Sequence, residues 1–186
     1  IGVVTCFVLM AVTHRAPAEI TAYIDEAEYL GAIGSLGYST MAEGFEDDTA
    51  WGGVRGGTTA ASVTSQGITW TANNVNGGVT TGSGPAQTGE WGFYTLPHGD
   101  FGNGIGDGWI GNSSQTLYGV GGWLQTNTPF AAVGLLVDGV AVDFGETCVG
   151  NNCSDNDILG TQPKFFGVIS TAGFTTFNYN ETEGTI

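Results

Sequence analysis

Basic side chains are almost missing from this chain of 186 residues. Three are Lys or Arg (Arg15, Arg55, Lys164) against 18 Asp or Glu, for a formal charge of −15. Such a surface repels phosphate backbones and anionic lipid, which argues against nucleic acid as a partner. It also attracts divalent cations and keeps an exported protein in solution. Histidine is as scarce, with only His14 and His98. A serine triad would have to use His98, and no G-x-S-x-G elbow supplies its nucleophile. An H-E-x-x-H motif, a P-loop and a G-x-G-x-x-G opening a helix are missing too. The cysteine pair Cys148 and Cys153, with His14 and His98 far off in sequence, lacks the two further ligands of a zinc site. The longest apolar run, IGVVTCFVLMAV, has twelve residues, too short for a membrane span.

That run is followed by THRAPAEI, with small residues at Ala16 and Ala18. The pattern is that of an h-region and an A-x-A cleavage site, so residues 1–18 are expected to be part of a secretory signal peptide. A buried first strand is the rival reading. Cys6 lies in the run without the small residue that a lipidated cysteine requires just before it, since Val3-Val4-Thr5 precedes it. The other two cysteines stand in CVGNNC, and an oxidising compartment would close Cys148 and Cys153 as a local disulfide at a loop tip. Export and this staple support each other.

The remaining length suits one domain with a real core. Residues 19–39 are expected to form a short helical lead-in. Asp25 serves as N-cap, Glu26 and Glu28 lie at the positive end of the dipole, and Ala27, Leu30, Ile33 and Leu36 supply an apolar stripe. Residues 40–186 read as strands punctuated by Gly, Asn and Ser: EGFED, SVTSQGITWTAN, GEWGFYTL, TLYGVGGWLQT, FAAVGLLVDG, KFFGVIS and FTTFNYNE. Short strands between turn signals predict a mainly β fold, an antiparallel jelly-roll-like β-sandwich. The sharpest hairpin is VDGVAVDF, where Asp138-Gly139 offers the positive φ of a type I′ turn. The longest irregular piece is 97–114, PHGDFGNGIGDGWIGNSS.

Two kinds of chemistry are carried by this pattern. Calcium takes six to eight oxygens, which acidic loops rich in Asn, Gly and carbonyls supply. Glu46-Asp47-Asp48 and Asp155-Asn156-Asp157 qualify by composition, with solvated turn residues the preferred reading of the second. Glu46 and Asp48 are the candidate metal ligands, because Glu46 follows Phe45 directly on an expected strand. Aromatic faces are the other candidate, since they cover the C–H side of a sugar ring while neighbouring polar groups take its hydroxyls. Strand phase assigns Trp70, Trp91 and Trp123 to the core and leaves Trp51 and Trp109 as surface aromatics. Trp109, with His98, Asp100 and Asp107 in the glycine-rich loop, forms the candidate ligand site. Glycoside hydrolysis has candidates in Glu46, Glu90, Asp100 and Asp107, but their spacing matches no paired-carboxylate strand motif.

The stretch AYIDEAEYLGAIGSLGYSTMAEGFED resembles the opening segment of bacterial secreted proteins of the PEP-CTERM, exosortase-sorted type, and FFGVISTAGFTTFNY resembles their penultimate strands. GFED followed by Trp51 is similar to the first strand of jelly-roll carbohydrate-binding modules. The resemblance implies that Glu46 helps to hold a structural calcium with an acidic pair on a last strand. The sequence ends at NETEGTI without that strand or a Pro-Glu-Pro sorting motif, so a fragment lacking both ends is expected, with any membrane attachment through a missing C-terminal anchor. Together these readings point to an exported, non-catalytic bacterial protein of the cell surface or extracellular matrix, binding polysaccharide with calcium as a structural ion. A purely structural or adhesive surface protein is the second reading, and a concanavalin-like glycoside hydrolase the third.

Overall fold

The computed structural model describes residues 19–74, 76–83, 86, 88–97, 108–124, 133–144 and 163–181. The expected signal segment, the Cys148–Cys153 loop, Asp155 and Asp157 lie outside the described residues, as do His98, Asp100 and Asp107. The chain is mainly β and antiparallel. The elements in order are β1 (Ile20–Tyr23), α1 (Glu26–Ser35), the one-turn α2 (Asp48–Trp51), β2 (Ser62–Ser65), β3 (Ile68–Ala72), β4 (Gly78–Ser83), β5 (Trp91–Leu96), β6 (Gly108–Leu124), β7 (Val133–Val137), β8 (Val140–Ala141) and β9 (Lys164–Glu181). A seven-stranded sheet runs β2-β3-β6-β9-β7-β8 with β1 added on β9, and the β4–β5 hairpin forms a second sheet.

Two long strands organise the large sheet. β6 and β9 pair from Gly108↔Asn180 to Leu124↔Lys164, with register shifts between Asn112 and Gly119. On one side of these shifts β3 and β7 extend the ribbon, and on the other side β1 pairs with β9. The sequence reads as two separate end strands, KFFGVIS and FTTFNYNE, but they form one strand, Lys164–Glu181, that passes through Gly173 at φ 76 where the pairing with β6 shifts register. Such a glycine marks a bulge in a continuous strand rather than a turn. The expected loop 97–114 is likewise shortened, because 108–114 belong to β6.

Strand glycines explain the discrepancy. A Cβ on Gly111 would collide with the Phe177 ring, and one on Gly108 with the Tyr179 carbonyl oxygen. These glycines are therefore places where a neighbour lies against the backbone, not signs of a loop. The VDG hairpin forms as expected, with Asp138 at φ 45 and Gly139 at φ 78. Asp138 also accepts from the backbone N–H groups of Thr175 (3.0 Å) and Thr176 (2.9 Å), which ties the turn to β9.

Helix α1 begins where expected: the Asp25 side chain accepts from Glu28 N at 2.9 Å. Its buried face is Tyr29 and Ile33, whereas Leu30 and Leu36 are exposed. The stripe expected at three-residue spacing is thus corrected to an i, i+4 pair. Gly119, Gly121 and Gly167 supply the reason. A Cβ on Gly121 would lie 2.9 Å from Tyr29 Cε1 and 2.6 Å from Phe165 Cζ, so the tyrosine ring occupies the space that side chains would fill.

The main core lies between the large sheet and the β4–β5 hairpin and includes Trp51, Trp70, Trp109, Phe177 and Tyr179. Among the described residues, no helix is long and apolar enough to cross a membrane.

Candidate functional site

Residues 43–51, EGFEDDTAW, do not form the expected first strand. Phe45 has φ 61, a conformation that costs a non-glycine residue free energy unless its surroundings hold it. They do: Glu43 Oε1 accepts from Phe45 N at 2.7 Å, and Arg55 Nη1 donates to Phe45 O at 2.6 Å. The ring then enters the core, stacked on Phe93 at 5.1 Å and edge-on to Trp51 at 5.1 Å and Trp70 at 5.7 Å. Phe45 is a plug held at both of its backbone polar groups.

The three consecutive carboxylates that follow have three separate partners. Glu46 Oε1 accepts from the backbone N–H groups of Glu90 (2.8 Å) and Trp91 (2.9 Å). Asp47 caps α2 through Thr49 N at 2.8 Å. Asp48 pairs with Arg55 Nη2 at 2.9 Å. Their mutual repulsion is offset by amide dipoles, a helix N-terminus and a guanidinium in turn. Glu46 and Asp48, the pair expected to hold calcium, meet different partners in this structure, two backbone amides and the Arg55 guanidinium. One carboxylate already faces a cation, and among the described residues no group of three or more His, Cys, Asp or Glu is placed to hold a metal.

Arg55 gathers this region. Besides Phe45 O and Asp48, its Nη1 donates to Thr81 Oγ1 at 3.1 Å, and its guanidinium lies 4.3 Å from the centre of the Trp91 ring. It therefore joins the 45–48 segment to both strands of the β4–β5 hairpin.

The tryptophans redistribute. Trp109, expected as a surface aromatic, is 8 % exposed on β6, edge-on to Phe93 at 5.2 Å and tilted against Tyr179 at 5.8 Å. Trp51, also expected at the surface, is 0 % exposed. Both are corrected to core: the short α2 turns Trp51 inward, and strand alternation in 108–111 points Trp109 and Gly111 to the same buried face. Trp70 is buried as expected, and Trp91 is half-buried. Trp123 is corrected the other way, at 37 % exposure.

What the structure does assemble is a cleft of about 1320 Å³ between α1, the 38–45 segment, the β4–β5 hairpin and the face of β6. Its outer part carries the exposed rings of Tyr38, Tyr118 and Trp123. Tyr38 and Tyr118 stack at 4.9 Å with planes 14° apart. Gln66, Ser113 and Gln115 add amides and hydroxyls to the same walls. Gln66 Nε2 donates to Ala42 O at 2.6 Å, which holds the 38–45 segment over the cleft. The inner end reaches Trp70 and Trp109, so the expected binding tryptophan contributes to the floor rather than to a loop. Tyr118 stood among the aromatics that the sequence offered for stacking, but Tyr38 was missed and Trp123 was assigned to the core, because their convergence depends on pairing and helix docking remote in sequence. Arg55 had a local signal: it is one of only three basic residues and follows Asp48 by seven.

Burial pushes the Tyr29 phenol well above its ordinary range, and that of Tyr179 likewise, with the neighbouring Tyr29 adding to the second. Tyr179 Oη donates to Phe166 O at 2.8 Å, which satisfies its proton within the core. Comparison of the chain with protein-family models, with curated proteins and with solved structures gives no match.

Proposed function

We propose that the chain is an exported, non-catalytic β-sandwich that binds glycan in the aromatic cleft, acting at the cell surface or in extracellular matrix. The observation that carries this reading is the grouping of exposed Tyr38, Tyr118 and Trp123 beside Gln66, Ser113 and Gln115. Flat apolar rings next to amides and hydroxyls match the two-sided chemistry of a sugar, whose C–H face is apolar and whose edge is polar. A monomeric protein exposes single aromatic rings without consequence, but three in one concave site mark a place where a partner is desolvated.

Loss of one stacking ring costs about 1 kcal/mol, roughly fivefold in affinity. Glycan-array binding followed by titration calorimetry is therefore expected to show weaker binding for Trp123→Ala and Tyr118→Ala, with Val140→Ala on the β7–β8 hairpin unchanged. A blank array with the wild type would overturn the reading in favour of an adhesive role, and release of reducing ends from a polysaccharide panel would favour a hydrolase. This reading does not require calcium. A structural ion at Glu46 would show itself as an EDTA-induced fall in melting temperature that Glu46→Ala abolishes, and an unchanged melting temperature would remove it.

A further inference from the structure

One end of the cleft joins an exposed indole to an exposed carboxylate. Glu26 opens α1 and stands one helical turn before Tyr29, on the same face of the helix. The Tyr29 ring is tilted against Phe165 at 5.3 Å, and Trp123 meets Phe165 edge-on at 5.9 Å. This chain of contacts brings Glu26 and Trp123 to one part of the cleft, and both line it. Both side chains are open to solvent. The other acid among the described lining residues, Glu43, has Oε1 committed to Phe45 N and Oε2 buried, which leaves Glu26 as the accessible one.

Among the described lining residues no Lys, Arg or His offsets this charge. Lys164 precedes Phe165 on β9, and strand alternation turns it to the other face of the sheet from the Phe165 ring. Arg55 shows what the same arrangement does elsewhere in the chain. Its guanidinium lies 4.3 Å from the centre of the Trp91 ring and 2.9 Å from Asp48, a cation held by an indole and a carboxylate together. At Trp123 the indole and the carboxylate recur, open to solvent. The field of the whole molecule, at a formal charge of −15, draws cations towards it and adds to the local attraction of an ammonium for an aromatic face. A uronate or sulfate meets the wrong sign at every one of these groups.

We propose that the cleft prefers cationic glycans, aminosugar oligomers with free amines, one ammonium of which sits against the Trp123 ring beside Glu26. This rests on the glycan reading and adds the charge class of the ligand and the residue that reads it. The stacked Tyr38 and Tyr118 supply apolar area that any pyranose can use, so the choice by charge falls to Glu26 and Trp123.

The test titrates the full chain at about pH 5.5, above the ordinary range of carboxylates and below that of a sugar amine, with the glucosamine hexamer, its N-acetylated counterpart, hexagalacturonate and hexalysine. The free-amine hexamer is expected to bind about tenfold more tightly than the acetylated one, which has the same rings without the charge, and hexagalacturonate more weakly than either. Raising NaCl from about 0.1 M to about 1 M should remove most of that preference. Two variants with the same charge change on the same helix separate the site from the field of the whole molecule. Glu26→Gln is expected to weaken free-amine binding about threefold and to leave the acetylated hexamer unchanged, whereas Glu28→Gln, exposed but not lining the cleft, should bind as the wild type does. Equal weakening by the two variants, or equal affinity for the free-amine and acetylated hexamers, would overturn this assignment and leave the glycan reading standing if Trp123→Ala still weakens binding. A wild type that binds no sugar hexamer would overturn both, and hexalysine binding that Trp123→Ala weakens would then make the cleft a site for basic peptide.

Discussion

Arg55 gives the sharpest perturbation, because its contacts differ in how much solvent they see. Its bonds to Phe45 O (2.6 Å) and Thr81 Oγ1 (3.1 Å) are partly buried, and each charge-assisted bond of that kind contributes about 1.5 kcal/mol. The stack on Trp91 at 4.3 Å adds about 0.5–1 kcal/mol. The ion pair looks like the strongest contact on paper, at 2.9 Å, but the Asp48 side chain is 85 % exposed while that of Arg55 is 14 % exposed. An exposed pair contributes only about 0–1 kcal/mol. Arg55→Ala should therefore destabilise by about 4 kcal/mol, and Asp48→Asn by no more than about 1 kcal/mol. For a chain of this size each kcal/mol shifts the melting temperature by roughly 2–4 °C, so the two variants should differ by several degrees at least. Thermal unfolding followed by near-ultraviolet circular dichroism reads both the melting temperature and the Phe45, Trp51 and Trp91 environments. Arg55→Lys keeps the charge but cannot reach three acceptors from one planar fork, and should fall between wild type and Arg55→Ala. If Asp48→Asn costs as much as Arg55→Ala, or Arg55→Lys melts like the wild type, the salt bridge or the bare charge is the dominant contact and the reasoning fails.

Two further outcomes follow from the packing. Gly121→Ala should overpack the α1 contact by about 1–3 kcal/mol, because its Cβ would meet buried Phe165 and Tyr29, while Gly122→Ala, with nothing within 4 Å, should be neutral; equal melting temperatures for the two would mean that Tyr29 does not lie on the ribbon. The raised phenols make stability depend on alkaline pH: both stay protonated in the native state above their ordinary value of 10.0, at which the unfolded chain ionises. Their contribution is complete below pH 10 and is lost as pH rises towards the native values, so urea midpoints should be level from pH 8 to about 9.5 and then fall, less steeply in Tyr29→Phe. A midpoint that stays level to pH 11.5 would refute the burial of these hydroxyls.

Features decided within a few residues of chain were legible in the sequence. Asp25 caps α1 through an amide three residues away, and Asp138-Gly139 turns β7 into β8 by its own φ angles. The β class and the antiparallel pairing were legible for the same reason, since alternation is local. The candidate site was not. Loop 97–114 drew attention by its glycine content, and Trp109 by its place within that loop, yet 108–114 are strand and Trp109 is core. The run Glu46-Asp47-Asp48 shows three charges in the sequence and conceals three partners, at Glu90 and Trp91, at Thr49 and at Arg55.

Glycine is the residue whose meaning the linear sequence hides. With 33 glycines beside ten Phe, six Tyr and five Trp, the chain can be read as turns interrupted by aromatics. Cross-strand register reverses that reading. Gly111 stands opposite Phe177, and Gly82 faces Tyr94, whose ring would lie 2.9 Å from an added Cβ. Gly119, Gly121 and Gly167 together receive Tyr29. Each of these rings is accommodated by a missing side chain on an adjacent strand, so the two compositional extremes complement each other there. The same pairing shapes the cleft. With Tyr29 against Gly119, Gly121 and Gly167, α1 lies close to β6, and Tyr118 and Trp123 on that strand are exposed. A substitution that fills the ribbon should therefore reduce stability and glycan affinity together, whereas Trp123→Ala should reduce affinity alone.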